Sequence, residues 1–114
     1  MAKHMIKHHP SEDAVTLYLE RPVQRKMRCI GAVMDIKGAS RDITTKRIYK
    51  QWTKLFEYAC DGNGKTYICT DWLKFSNFLE WYKSEQASTG GSYMDTPRID
   101  GIKIYSPKYS TLIG

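Results

Sequence analysis

Long apolar runs are missing from this chain of 114 residues. None approaches the roughly 18 that a membrane-spanning helix requires, so no membrane partner is expected. The first ten residues, from Met1 to Pro10, lack the apolar centre of a signal peptide. Histidine is absent after His9, which leaves no Ser-His-Asp or Cys-His arrangement in the body of the chain. Cysteine is scarce and odd in number: Cys29, Cys60 and Cys69 form no C-x-x-C pair. A disulfide framework is therefore not expected, and the thiols should be reduced, as in a cytoplasm. Acidic residues are in the minority, 12 Asp and Glu against 18 Lys and Arg, for a net charge of +6. That balance excludes an acidic mimic of DNA, and it suits a nucleic-acid or other polyanionic partner and an uncommitted basic surface equally.

What is present reads as one small globular domain. Hydrophobic residues make up 41% and charged residues 26%, ordinary values for a folded protein. Eight Tyr and three Trp outnumber three Phe, so many rings carry a polar handle and should sit half-buried or on a contact surface. Residues 1–13 are polar and basic and read as a flexible segment preceding a domain over 14–114. Ala14 to Glu20 is rich in β-branched and aromatic residues and predicts a strand stopped by Pro22. Arg21, Arg25, Lys26 and Arg28 follow. Met27 to Met34 predicts a second strand, with Gly31 as a bulge, and Lys37 to Ser40 a turn.

A helix follows more clearly. Capped by Thr44 or Thr45, it carries Ile48, Trp52, Leu55, Phe56 and Ala59 within an arc of about 100°. Lys46, Arg47, Lys50 and Lys54 form a basic ridge on its other side, which reads either as an ordinary solvated face or as a face that tracks phosphates. Asp61 to Lys65 is a turn, Thr66 to Cys69 a short strand, and Thr70 or Asp71 caps a second helix. That helix presents Trp72, Phe75, Phe78, Leu79 and Tyr82. Residues 87–92 read as a flexible loop. Tyr93 to Asp95, a turn at Asp100-Gly101 and Ile102 to Tyr105 suggest a closing hairpin.

Several chemical motifs can be set aside on context. Ala59 to Thr66 fits a relaxed phosphate-loop pattern, but a helix precedes it and a strand follows, the reverse of what such a loop needs. Lys65 takes what would be a ligand position of a calcium loop. His4, His8 and His9 lack a second ligand set for zinc and read as tail residues. Cys60 and Cys69 read as two small buried thiols.

The order of the remaining motifs is distinctive. Ile48-Tyr-Lys-Gln-Trp52, Cys60, Tyr67-Ile-Cys-Thr-Asp-Trp72, Phe75-Ser-Asn-Phe78 and Trp81 follow one another. Met94-Asp95, Gly101-Ile-Lys-Ile-Tyr-Ser-Pro107 and Leu112-Ile113 come after them. This succession resembles small phage proteins related to HNH endonucleases, over roughly residues 29–113. In that family a Y-x-x-W helix leads to C-x-E-W-x-x-F-S-N-F-x-x-W, then L-D-K-D and G-N-K-x-Y-S-P. Ile30-Gly-Ala-Val-Met-Asp35 is loosely similar to an upstream G-V-x-x-N-D stretch.

The resemblance implies a β-hairpin and helix that hold one divalent metal for phosphodiester cleavage. It places Asp95 at the first-strand acid position, the one catalytic candidate carried over. Pro97 stands where the family has its second acid, Ile102 replaces its Asn, and Ser110 its Cys. The chain also stops at Gly114, before the family's closing helix. The implied protein keeps the scaffold and loses the catalytic inventory.

The expected fold is α+β, two amphipathic helices packed on a small antiparallel sheet with a C-terminal β-hairpin. The expected function is that of a phage-encoded, catalytically degenerate HNH-like protein in the host cytoplasm. It would bind nucleic acid through Lys46, Arg47, Lys50 and Lys54, with Arg21, Arg25, Lys26, Arg28, Arg98 and Lys103. No cofactor is expected. One alternative is a small phage protein that binds and inhibits a host or defence protein. Another is a metal-dependent DNA endonuclease, which would need a divalent metal and Asp95.

Overall fold

The computed structural model of the chain describes residues 4–19, 26–36, 42–60 and 64–114. The fold is α+β, with helices packed on small sheets. Strands β1 (His4–His8) and β2 (Ala14–Leu19) precede helices α1 (Lys26–Ile30) and α2 (Ile43–Ala59). Then come β3 (Thr66–Cys69), a 3₁₀ turn (Thr70–Leu73), helix α3 (Phe75–Thr89), and strands β4 (Tyr93–Asp95), β5 (Lys103–Tyr105) and β6 (Thr111–Ile113).

The main sheet has the order β1-β2-β3-β5, antiparallel except for the parallel β3–β5 pair. In β2, Ala14, Val15, Thr16 and Leu17 are all buried, because neighbouring strands and the helices cover both faces. Thr16 is tolerated there since its hydroxyl donates to the Ala59 carbonyl, 2.8 Å away.

The helical stripe of α2 packs as its spacing demands: Ile48, Trp52, Leu55, Phe56 and Ala59 are all buried. Trp52 is the hub. Its ring meets Phe56 edge-on at 5.1 Å and Phe75 at 5.2 Å, separations typical of favourable aromatic pairs. Its Nε1–H donates to the Trp72 carbonyl at 2.7 Å, so the buried indole leaves no polar atom unpaired. Trp72, Phe75, Phe78 and Tyr82 supply the opposing face, and Leu79 packs at its margin.

Both long helices are capped by acids, one of them from a distance. Asp42, not Thr44 or Thr45, caps α2: its carboxylate accepts from both threonine amides and from the Thr45 hydroxyl. A carboxylate is the better cap because it also answers the positive end of the helix dipole. For α3, the residue at the cap is Lys74, which makes no side-chain cap bond. Asp35 takes over from 41 residues upstream, accepting from the Ser76 amide at 2.9 Å and from its hydroxyl. Backbone bonds from Phe75 to Val33 and from Val33 to Leu73 fasten the same segment there.

The Ser76 hydroxyl holds the Asp35 carboxyl below its usual range, and the Thr45 hydroxyl does the same for Asp42. Each group therefore binds a proton less readily in the folded state than in the unfolded chain. The resulting stability is present above the ordinary aspartate value near 3.9 and is lost as pH falls through the depressed values. Urea midpoints should drop in acid for the parent protein, and Asp35→Asn with Asp42→Asn should flatten that acid limb. An unchanged limb would remove these two carboxylates from the acid response.

Beyond the α2 cap, four sequence expectations are corrected. Residues 4–8, expected to be part of a flexible tail, form β1, because the backbone pairs in full register with β2 whatever the side-chain pattern. Residues 27–30 are helical, not a strand. Gly31, with φ at 92°, ends that helix: Ala32 donates to the Met27 carbonyl and Gly31 to that of Arg28, the paired bonds of a glycine helix stop. The loop at 87–92 is shorter than expected, since α3 runs through Thr89 and stops at Gly90 in the left-handed region. The closing strands are also rearranged. β4 pairs with β6, and β5 between them joins β3, so Leu112 and Tyr105 reach the core from different sheets. Hairpin geometry survives in the tight turn Ile99–Ile102, where Asp100 and Gly101 both have positive φ. The turn expected at 37–40 lies outside the described residues.

Candidate nucleic-acid interface

Lys46, Lys50 and Lys54 recur every fourth residue on the outer face of α2, with Arg47 beside them, and all four are exposed. Successive lysines of this ladder are therefore displaced by roughly 6 Å along the helix axis. At its C-terminal end the ladder runs into a groove of about 370 Å³. Gln51, Lys54, Leu55 and Tyr58 of α2 form one wall of this groove. Tyr93 and Met94 of β4, Thr96, and Lys103 and Tyr105 of β5 form the other.

Two lysines distant in sequence, Lys54 and Lys103, thus line one depression. Lys103 is half-buried, with its Nζ 5.7 Å from the Tyr105 ring centroid, within the range of a cation–π contact. Tyr58 and Tyr93 are 54% and 66% exposed, so much of each ring is open to a ligand. The groove is braced from behind. Gln51 donates to the Tyr82 hydroxyl at 2.9 Å, and that hydroxyl donates to the Ser92 carbonyl at 2.6 Å. The Thr96 and Ser110 hydroxyls, both on buried residues, are 2.7 Å apart.

Two other cavities have the opposite character. One, of about 260 Å³, has Glu12 and Asp100 in its lining together with His9, Tyr109, Ile102 and Ile104. The other, of about 380 Å³, includes Asp71, Glu80 and Trp81. Acids in both make them poor hosts for a polyanion, whereas the lining of the α2–β4–β5 groove has two lysines and no acid. Alternation along β5 separates the two environments: Ile102 and Ile104 border the acidic cavity, Lys103 and Tyr105 the basic groove.

His9, expected in an unordered tail, is instead a turn organiser. Its Nδ1 accepts from the amides of Ser11 and Glu12 at 3.1 and 3.0 Å, and its ring meets Tyr67 edge-on. Glu12 in turn accepts from the Tyr109 hydroxyl and from Lys108 at 3.1 Å, and the Tyr109 bond leads in holding its carboxyl below the usual range.

The other expected binding residues are scattered. Arg28 is exposed in the last turn of α1, and Lys26 opens that helix. Arg98 is exposed and donates to the Gly101 carbonyl at 3.3 Å. Arg21 and Arg25 lie outside the described residues. Asp95 is exposed on β4, facing Thr111 across the ladder, and is not part of the groove lining. Among the described residues, no group of three or more His, Cys, Asp or Glu side chains could hold a metal ion. Cys69 is a buried thiol whose burial pushes its pKa up to about 12, so it stays neutral and is a poor nucleophile. No described helix is long and apolar enough to cross a membrane.

No family model, curated protein or solved structure matches this chain.

Sequence reading missed the tyrosines. Tyr58 falls outside the apolar stripe of α2, one turn beyond Lys54, and an aromatic beside a lysine on a polar face was the available signal. Tyr93 and Tyr105 carried no such signal, because only the long-range pairings of β4 and β5 bring them to α2.

Proposed function

We propose that this protein binds nucleic acid, with the α2 ridge and the α2–β4–β5 groove as its interface. The observation that carries this reading is the convergence of Lys54 and Lys103, from separate elements, in an acid-free groove walled by tyrosines. Basic residues that follow a path, interleaved with aromatic faces, are the physical requirements for holding a phosphodiester chain and its bases. In keeping with the resemblance to phage HNH endonucleases, the protein would be a relative that has kept the scaffold and given up cleavage. Fluorescence anisotropy with labelled oligonucleotides at low ionic strength tests it. Binding that weakens steadily as salt rises is expected. No binding of either single strands or duplexes would overturn the proposal.

A second reading, a host or defence protein as partner, draws on β1. This edge strand of the main sheet exposes Met5 and Ile6, at 57% and 38%, on adjacent positions and hence on both faces. Edge strands of this kind can accept a further strand. Affinity capture from host lysate separates the readings: a stoichiometric protein that stays bound after nuclease treatment supports the second.

A further inference from the structure

We infer that the groove takes single-stranded nucleic acid in preference to duplex, through its unpaired bases. The inference rests on the nucleic-acid reading above and adds which form of the polymer fits. The α2 ridge alone would suit a duplex, because Lys46, Arg47 and Lys50 are all exposed and can reach phosphates on a convex surface. The groove is different. Lys103 is half-buried against the Tyr105 ring, and Tyr58 of α2 and Tyr93 of β4, both largely exposed, line the same groove. A duplex keeps its bases stacked inside and offers such rings only sugar and phosphate. A flexible single strand can lay bases on Tyr58 and Tyr93 while its phosphates approach Lys54 and Lys103, and stacking of this kind is tolerant of sequence.

The test compares a labelled oligodeoxythymidylate with a hairpin duplex carrying the same number of phosphates, by anisotropy at one salt concentration. The single strand is expected to bind about tenfold more tightly, as stacking on exposed rings allows. Tyr58→Ala and Tyr93→Ala should each weaken it by about tenfold, while Tyr58→Phe and Tyr93→Phe, which keep the ring, should not. Both residues are exposed, so circular dichroism should find the variants folded. Duplex binding as tight as single-strand binding would overturn the inference and leave nucleic-acid binding standing. So would tyrosine variants that bind normally while Lys54→Gln does not. Failure of both probes to bind would overturn the nucleic-acid reading itself, and this inference with it.

Discussion

Trp52→Ala should lower the stability of the folded protein by about 3–5 kcal/mol, the range for deleting a large buried aromatic. Trp52 is 0% exposed and touches both halves of the core, with Phe56 on its own helix and Phe75 on α3. Removal of the indole leaves a cavity between the two long helices that rigid neighbours cannot close. It also deprives the Trp72 carbonyl of its donor. Small domains have only about 5–15 kcal/mol of stability in all, so the variant should unfold at much lower urea. Trp52→Phe separates the two losses: it keeps a ring, removes the N–H, and should cost about 1–3 kcal/mol. An alanine variant within about 1 kcal/mol of the parent would mean that Trp52 is not the hub.

Gly91→Ala should be the most damaging methyl group that can be added near the groove. A Cβ at this position would lie 2.5 Å from the Leu112 carbonyl carbon and 2.6 Å from both the Ile113 nitrogen and the Leu112 oxygen. All three are backbone atoms, so no rotamer change can make room. The backbone at Gly91 is not left-handed, so close approach of β6, and not an unusual φ, requires glycine here. Relief means moving β6 away from the start of β4, against the Ser92-to-Ile113 bond and the pairing of Tyr93 with Ile113. The cost should be at least the 1–3 kcal/mol or so typical of overpacking. Because β4 brings Tyr93 and Met94 to the groove, oligonucleotide affinity should fall as well, although Gly91 itself lines nothing there. Urea unfolding and anisotropy on the same sample check both effects. A variant as stable as the parent would contradict the close packing of β6 on Gly91.

The same residues show how far local pattern reaches. The faces of α2 and α3 were legible because Ile48, Trp52, Phe56, Phe75, Phe78 and Tyr82 repeat at helical spacing and are bulky enough to dominate any other signal. β1 was not, since Met5 and Ile6 point to opposite faces and both stay exposed, so no alternation marks the strand. α1 spans five residues, too few to show a period, and Gly31 serves equally well as a bulge or a helix stop until its φ is known. The Asp35 cap of α3 was hidden by 41 intervening residues.

The candidate site divides in the same way. The lysine ladder of α2 follows from helical geometry alone. Its meeting with Lys103 depends on β5 joining β3 in parallel, a pairing between distant segments that no local pattern specifies. Asp95 was singled out by resemblance, and the strand it occupies matters here for its neighbours Tyr93 and Met94.

The most direct test of the groove is the salt dependence of single-strand binding, compared between the parent and the Lys54→Gln, Lys103→Gln double variant. Each lost phosphate contact should reduce the log–log slope by about 0.7, so the pair should reduce it by about 1.4. Lys108→Gln, which removes the same charge beside Glu12 on the acidic side of β5, should leave the slope unchanged. Equal slopes for the parent and the double variant, or an equal loss for Lys108→Gln, would contradict a phosphate path through this groove.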